Sequence, residues 1–325
     1  MVTRNKVKTA VVGVGNLGRH HARWYKSIEE SELVGIYDRD QAKCRQIAEE
    51  LGVTAFQSLS DIFGRAEVVS VAVPTSDHHE VGAPLISHKI NCLIEKPIAA
   101  TVEQAEELIR LADENGVILS VGHIERFNPA VLALGNYVIE PRFIEAHRLA
   151  AFDPRGTDVA VILDLMIHDI ELALHFVGSP LKSLEAAAVA VVSDTADIAN
   201  ARLTFENGAV ANLTASRISL RAMRKLRIFQ KSGYFSLDLA ARQADIYRMA
   251  DDAAAGEDGM RIPLGKSGRE IIYRKAGAAD EDMLCLELKN FIHAVRTGSS
   301  PRVKAPAATE ALKIASEIER IGVIK

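Results

Sequence analysis

Three side chains in this sequence have the types and spacing to move a proton at a hydroxyl. Lys96 stands between Glu95 and Pro97 in "NCLIEKPIAA", where an apolar run through Leu93 and Ile94 ends. Proline at 97 confines Lys96 to extended backbone angles, which narrows the directions its side chain can take. A lysine held in this way can stabilise a developing alkoxide or donate a proton to a ketone; on spacing alone, a solvated loop lysine is an equal alternative. Asp164 and His168, four apart in "VILDLMIHDIELALHFVG", share one face of a helix expected over 159–176, where they interrupt Leu163, Leu165, Met166 and Ile167. A carboxylate there orients an imidazole and favours its charged form, as a general base requires, although a core histidine satisfied by its helix neighbour fits the same spacing. His175 shares much the same face, but seven residues of helix rise about 10 Å, too far for both rings to reach one ion, so no metal is expected. The pairs His20-His21 and His78-His79 fall near helix starts and read as caps, packing or cofactor contacts rather than ligands.

These residues need elements to hold them. "KVKTAVVGVG" is a β-branched run ending in glycine, "NLGRHHARWYKSIEE" carries apolar residues at helical spacing, and "ELVGIYD" is a second strand. The alternation continues through a helix near 40–51, the strand "AEVVSVAVP", a helix near 77–88, the strand "INCLIE", the helix "TVEQAEELIRLADENG" and the strand "VILSVGH". Strands alternating with helices predict a parallel sheet covered on both faces. Lys96 then lies past the carboxyl end of a strand, where ligands bind in open α/β sheets.

The turn after the first strand is the strongest motif. Gly13-Val14-Gly15-Asn16-Leu17-Gly18 fits G-x-G-x-x-G between a strand and a helix, and Asp38 ends the second strand 20 residues after Gly18. Gly13 permits the turn, Gly15 admits a pyrophosphate, Gly18 lets helix and strand pack, and Asp38 can accept both ribose hydroxyls. A purely structural turn would leave Asp38 as coincidence. Asp38 would repel a 2′-phosphate, which favours NAD over NADP, while Arg39 stands ready either to stack on adenine or to grip that phosphate.

After about residue 124 the pattern changes. "NARLTFENGAVANLTASRIS" places Asn207-Gly208 between two strand-like runs as a type I′ turn would, 251–268 reads as a Gly- and Asp-rich loop, and helices are expected near 281–296 and 307–321. The final helices either close this α+β domain or return to the first.

Composition excludes several classes. The net charge of −4 is spread along the chain, so no nucleic-acid partner is expected, and no apolar run approaches the ~20 residues of a membrane span. Cys44, Cys92 and Cys285 are odd in number and far apart, as reduced thiols in a cytoplasmic protein would be.

Together "AVVGVGNLGRHHARWY", "VAVPTSDHHE", "CLIEKPIAAT", "VGHIERFNPA" and "DLMIHDIE" resemble the glucose-fructose oxidoreductase, myo-inositol dehydrogenase and MocA family over nearly the whole chain. The resemblance implies an α/β protein: a Rossmann domain over 1–124, then a substrate-binding and oligomerisation domain over 125–325 with a large, mostly antiparallel open sheet. It also implies NAD(P)-dependent oxidation of a sugar hydroxyl and a homodimer or homotetramer formed through that sheet. By resemblance Lys96 polarises the reacting oxygen, His168 takes the hydroxyl proton and Asp164 orients it. Cofactor contacts carried over in the same way are Gly13, Gly15, Asn16, Leu17, Gly18, Asp38, Arg39, Pro74, Thr75, His78, Glu95 and Lys96, with Thr75 standing where the family commonly has asparagine. "VGHIERFNPA" and "RLAAFDPRGTDVAVILDLMIHDIE" resemble the branch that oxidises the 3-hydroxyl of UDP-N-acetylglucosamine. Arg155, with Arg126, Arg148 and Arg217, is of the type that grips such a diphosphate, which a polyol or free-sugar dehydrogenase would not need. A non-catalytic dinucleotide sensor would not need Lys96, Asp164 and His168 together.

Overall fold

A computed structural model describes residues 6–153, 159–252, 258–277 and 281–322. Arg155 lies outside the described residues. The chain divides into two compact units, residues 1–124 with 281–312, and residues 125–280 with 313–325. Residues 281–312 therefore belong with the first unit.

The first unit runs β1 (Val7–Val12), α1 (Asn16–Ser27), β2 (Ser31–Tyr37), α2 (Gln41–Leu51), β3 (Thr54–Ala55), β4 (Val68–Val71), α3 (His78–Ser87), β5 (Asn91–Glu95), α4 (Val102–Asn115) and β6 (Leu119–Gly122). Its six parallel strands take the order β3-β2-β1-β4-β5-β6. From β1 the chain winds first to one side and then to the other, so the crevice between β1 and β4 is the topological switch point at which dinucleotides bind in such sheets. β4 is buried along its whole length, as a strand covered on both faces must be. The core joins Val11, Tyr25, Ile36, Ile47 and Leu93 to Leu288 and Phe291 from the returning segment.

The second unit contains α5 (Pro129–Leu132), β7 (Phe143–Leu149), a π-turn (Ile162–Met166), α6 (Ile167–Val177), β8 (Leu181–Val189), β9 (Ile198–Phe205), β10 (Val210–Ser216), β11 (Met223–Gln230), β12 (Gly233–Asp238), β13 (Gln243–Met249), β14 (Met260–Pro263) and β15 (Glu270–Gly277). The chain ends in α7 (Met283–Thr297) and α8 (Ala305–Gly322). The nine strands form one sheet in the order β14-β15-β13-β12-β11-β7-β10-β9-β8, antiparallel except for the parallel pair β7 and β10. β7 alternates buried and half-exposed residues, and α6 packs on β7 and β10.

Two local expectations change. The hairpin between β9 and β10 is not type I′: only Gly208 has positive φ, +81°, its N–H donates to the Phe205 carbonyl, and Phe205 N–H donates to Ala209. That is a type I turn closed by a left-handed glycine, which spares Asn207 the strained conformation. Within the expected loop 251–268, Met260–Pro263 forms β14, paired antiparallel with β15.

Candidate active site

Gly13, Gly15, Tyr37, Asp38, Arg39, Lys43, Val73, Pro74 and Asp77 are among the residues lining a cleft of about 420 Å³ at the switch point of the first sheet. The three glycines have different reasons to be there. Gly13 has φ +84°, and a Cβ on it would lie 2.6 Å from the Ala72 carbonyl oxygen. A Cβ on Gly18 would lie 1.8 Å from the Gly13 oxygen, so helix and strand could not pack. A Cβ on Gly15 would meet nothing closer than Lys43 Nζ at 4.0 Å. The chain itself gives no steric reason for Gly15, whereas a ligand seated against the turn does, and this fits a dinucleotide there. Gly15 also precedes α1 without a side-chain cap, which leaves the helix's first N–H groups to a pyrophosphate. Asn16 and Leu17, in that first turn, are exposed.

Asp38 is fixed before any ligand arrives. Its Oδ2 accepts from Val14 N–H at 2.7 Å and its Oδ1 from Asp40 N–H at 2.9 Å, and Oδ1 keeps a further lone pair for a ribose hydroxyl. Lys43 Nζ approaches Asp38 Oδ2 at 3.4 Å. Lys43 escaped the sequence reading, although a signal exists: it sits in the first turn of α2, where the helix dipole disfavours a cation and another partner must hold it. Arg39 is turned to Asp77 at 3.2 Å with 78% of its side chain exposed. Pro74 lines the cleft, and Thr75 opens the short 3₁₀ turn that follows it.

Lys96 is half-buried just past the end of β5, and the Lys96–Pro97 peptide bond is cis. Glu95 is buried. Its Oε1 lies 2.9 Å from Nε2 of the fully buried His21, and its Oε2 accepts from Lys96 N–H at 3.3 Å. A Cβ on Gly122 would come within 2.7 Å of this carboxylate, so the small residue on β6 makes room for it. His78 is buried between two backbone carbonyls, while its neighbour His79 turns outward to Glu107 at 2.8 Å.

In the second unit, Asp164 and His168 fall on two kinds of helix. Ile167 N–H bonds to the Ile162 carbonyl, five residues back, so Asp164 lies in a π-turn and is exposed, and His168 follows in the first turn of α6, half-buried. Such insertions are frequent at functional positions. The arginines are largely committed. Arg148, 3% exposed, donates to Asp169 at 2.8 and 3.0 Å and to Glu125 at 2.8 Å. Arg126 Nη1 donates to Glu171 at 2.7 Å, and Arg217 to the Val159 and Ala196 carbonyls. Burial holds the Asp169 and Glu171 carboxyls above their ordinary values even beside these guanidinium groups. Among the described residues no group of three histidine, cysteine, aspartate or glutamate side chains is placed to hold a metal, and no helix is long and apolar enough to cross a membrane.

The glycine turn, the fixed Asp38 and the switch-point cleft have the features of a dinucleotide-binding fold. Residues 7–123 match the model of an oxidoreductase family with an NAD-binding Rossmann fold, and residues 141–236 match the GFO/IDH/MocA C-terminal domain. UDP-N-acetylglucosamine 3-dehydrogenase from Acidithiobacillus ferrooxidans is 37% identical over 290 residues, covering 89% of this chain and 88% of that protein. A solved structure of that enzyme superposes with a TM-score of 0.88 over 98% of each chain at 34% identity. The scyllo-inositol 2-dehydrogenase (NAD(+)) of Bacillus subtilis is 24% identical over 95% of this chain and 92% of that protein. The chain belongs to the GFO/IDH/MocA oxidoreductase family, with an NAD-binding Rossmann fold, and is an NAD(P)-dependent dehydrogenase.

Proposed function

We propose that the chain oxidises a nucleotide-sugar hydroxyl, with the 3-hydroxyl of UDP-N-acetylglucosamine as substrate. The observation that carries this reading is 37% identity over 89% of the chain to an enzyme named for that substrate. Gly13, Gly15, Gly18 and Asp38 hold NAD, which when bound supplies the hydride acceptor. Lys96 polarises the reacting oxygen, His168 accepts the hydroxyl proton, and Asp164 orients the imidazole and favours its charged form. Arg155 grips the diphosphate. Arg126, bonded to Glu171 through Nη1 with its Nε unpartnered, is the second candidate, whereas Arg148 and Arg217 are held by partners in their own unit.

The first unit serves as the dinucleotide domain and the second as the substrate-binding and oligomerisation domain. A homodimer or homotetramer through the nine-stranded sheet is supported by an aromatic ladder. Phe143, Phe229, Tyr234, Tyr247 and Tyr273 occupy paired positions on five neighbouring strands, with ring centroids 4.7 to 5.8 Å apart and all five side chains half-exposed. The buried, unpaired Cys44, Cys92 and Cys285 support a cytoplasmic setting.

The inositol relative favours a second reading, in which a polyol is oxidised and no diphosphate grip is needed. The two separate when NAD reduction is followed by absorbance with each substrate. UDP-N-acetylglucosamine is expected to support it, and Arg155→Ala to weaken its apparent affinity ~10-fold or more, the cost of about one charge-assisted contact. Ready turnover of myo-inositol with none of UDP-N-acetylglucosamine overturns the substrate and leaves the cofactor assignment standing.

A further inference from the structure

His78 begins α3 and is 1% exposed. Its Nδ1 lies 2.8 Å from the Pro97 carbonyl oxygen and its Nε2 lies 3.0 Å from the Val73 carbonyl oxygen. Both partners can only accept. A neutral imidazole carries one N–H, so it bonds one carbonyl and turns a lone pair to the other, and only the imidazolium donates to both. The carbonyls sit in different working parts of the unit: Pro97 follows Lys96 directly, and Val73 lines the dinucleotide cleft. Burial pushes the ring below its ordinary value, against the Pro97 and Val73 carbonyls and the nearby Glu95 carboxylate, which favour the charged form. Burial thus disfavours the doubly protonated ring, and of the two contacts the one from Nδ1 to Pro97 is the shorter.

We propose that His78 is a positioning residue, whose Nδ1–H holds the Pro97 carbonyl and thereby fixes the direction in which the adjoining Lys96 is presented. This rests on the reading of Lys96 as the group that polarises the reacting oxygen. Outward-facing His79 has no such part, since it pairs with Glu107 instead. Spacing alone does not separate the two histidines, whereas burial and bonding partners do.

The two ring nitrogens can be mimicked one at a time. An asparagine amide N–H reaches from the Nδ1 position and a glutamine amide N–H from the Nε2 position. His78→Asn is expected to keep kcat within ~3-fold, whereas His78→Gln lowers it ~10-fold or more with KM and NADH affinity nearly unchanged, since misplacement of a catalytic group costs rate rather than binding. In a Lys96→Ala background, His78→Gln is expected to cost no further rate, because the two act as one unit. Equal kcat losses in the two His78 variants, or full kcat in His78→Gln, overturn the proposal. Should the variants not fold, ¹⁵N spectra of the wild-type ring at neutral pH decide: the Nδ1–H tautomer is expected, and an Nε2–H tautomer overturns it. Unchanged turnover in Lys96→Ala alone removes the underlying reading instead, whatever the tautomer shows.

Discussion

In the second unit, Arg148 is 3% exposed with its guanidinium divided between Asp169 and Glu125, whereas in the first unit Lys43 and Arg39 stand at the rim of the dinucleotide cleft with 39% and 78% of their side chains exposed. Both regions are rich in charge, and their sequences give no hint of the difference. A buried cation is tolerated only where carboxylates already surround it, so its bonding capacity is used up by the fold. A rim cation loses little hydration and keeps donors for a ligand. Charge type alone therefore does not mark a binding residue. What marks it is how much of its bonding capacity the fold leaves over.

This contrast can be broken at several points. The largest effect is expected from Arg148→Met, which leaves Asp169 and Glu125 buried without their counter-charge. It should lower unfolding stability by about 3–5 kcal/mol in denaturant titrations, and a loss below about 1 kcal/mol would place Arg148 among the available cations instead. On the other side, Lys96→Ala should cut turnover at least ~100-fold while NADH affinity stays within several-fold; a melting-temperature loss in place of a rate loss would make Lys96 structural. Gly15→Ala should weaken NADH binding ~10-fold without lowering the melting temperature, since its methyl meets only the space a ligand would fill. Gly18→Ala, which collides with the Gly13 carbonyl, should instead destabilise the fold.

The smallest effect sharpens the contrast by pH. Burial raises the Asp197 carboxyl, but the Ser193 hydroxyl and the N–H groups of Val192, Val191 and Ser193 outweigh it and hold the group well below its ordinary 3.8. A depressed carboxyl contributes its stability in full above the unfolded value and loses it as pH falls from there towards the folded one. Asp197→Asn should therefore flatten the acid limb of a melting-temperature profile below about pH 4, and an unchanged limb would show that this loop does not read pH.

Legibility followed the range of the interactions. The parallel sheet, the glycine turn and Asp38 are written in runs of periodic residues and in one short motif, and the sequence carried them. β3 has two residues, too few to show any period, and β14 lies in a segment whose glycines and aspartates look like loop. The π-turn at Ile162–Met166 leaves no mark, because the apolar residues keep a helical spacing through it. Arg148 looked free for a phosphate because its partners are 21 and 23 residues away in sequence and meet it only through the fold. His78 was legible as a histidine near the cofactor, but its two carbonyl partners were not.

The return of α7 to the first unit makes the order of synthesis matter. Leu284, Leu288, Phe291 and Ile292 complete the core that Val11, Tyr25, Ile36 and Leu93 begin, and α7 packs on α1, the helix that opens at the glycine turn. All six strands of the first sheet thus leave the ribosome well before the residues that finish their core, with the whole nine-stranded sheet made in between. A nascent chain halted between Gly122 and Met283 carries every residue proposed to contact the cofactor, yet α1, already packed on β1 and β2, lacks the cover that α7 gives it. The nucleotide-binding half is begun first and closed last.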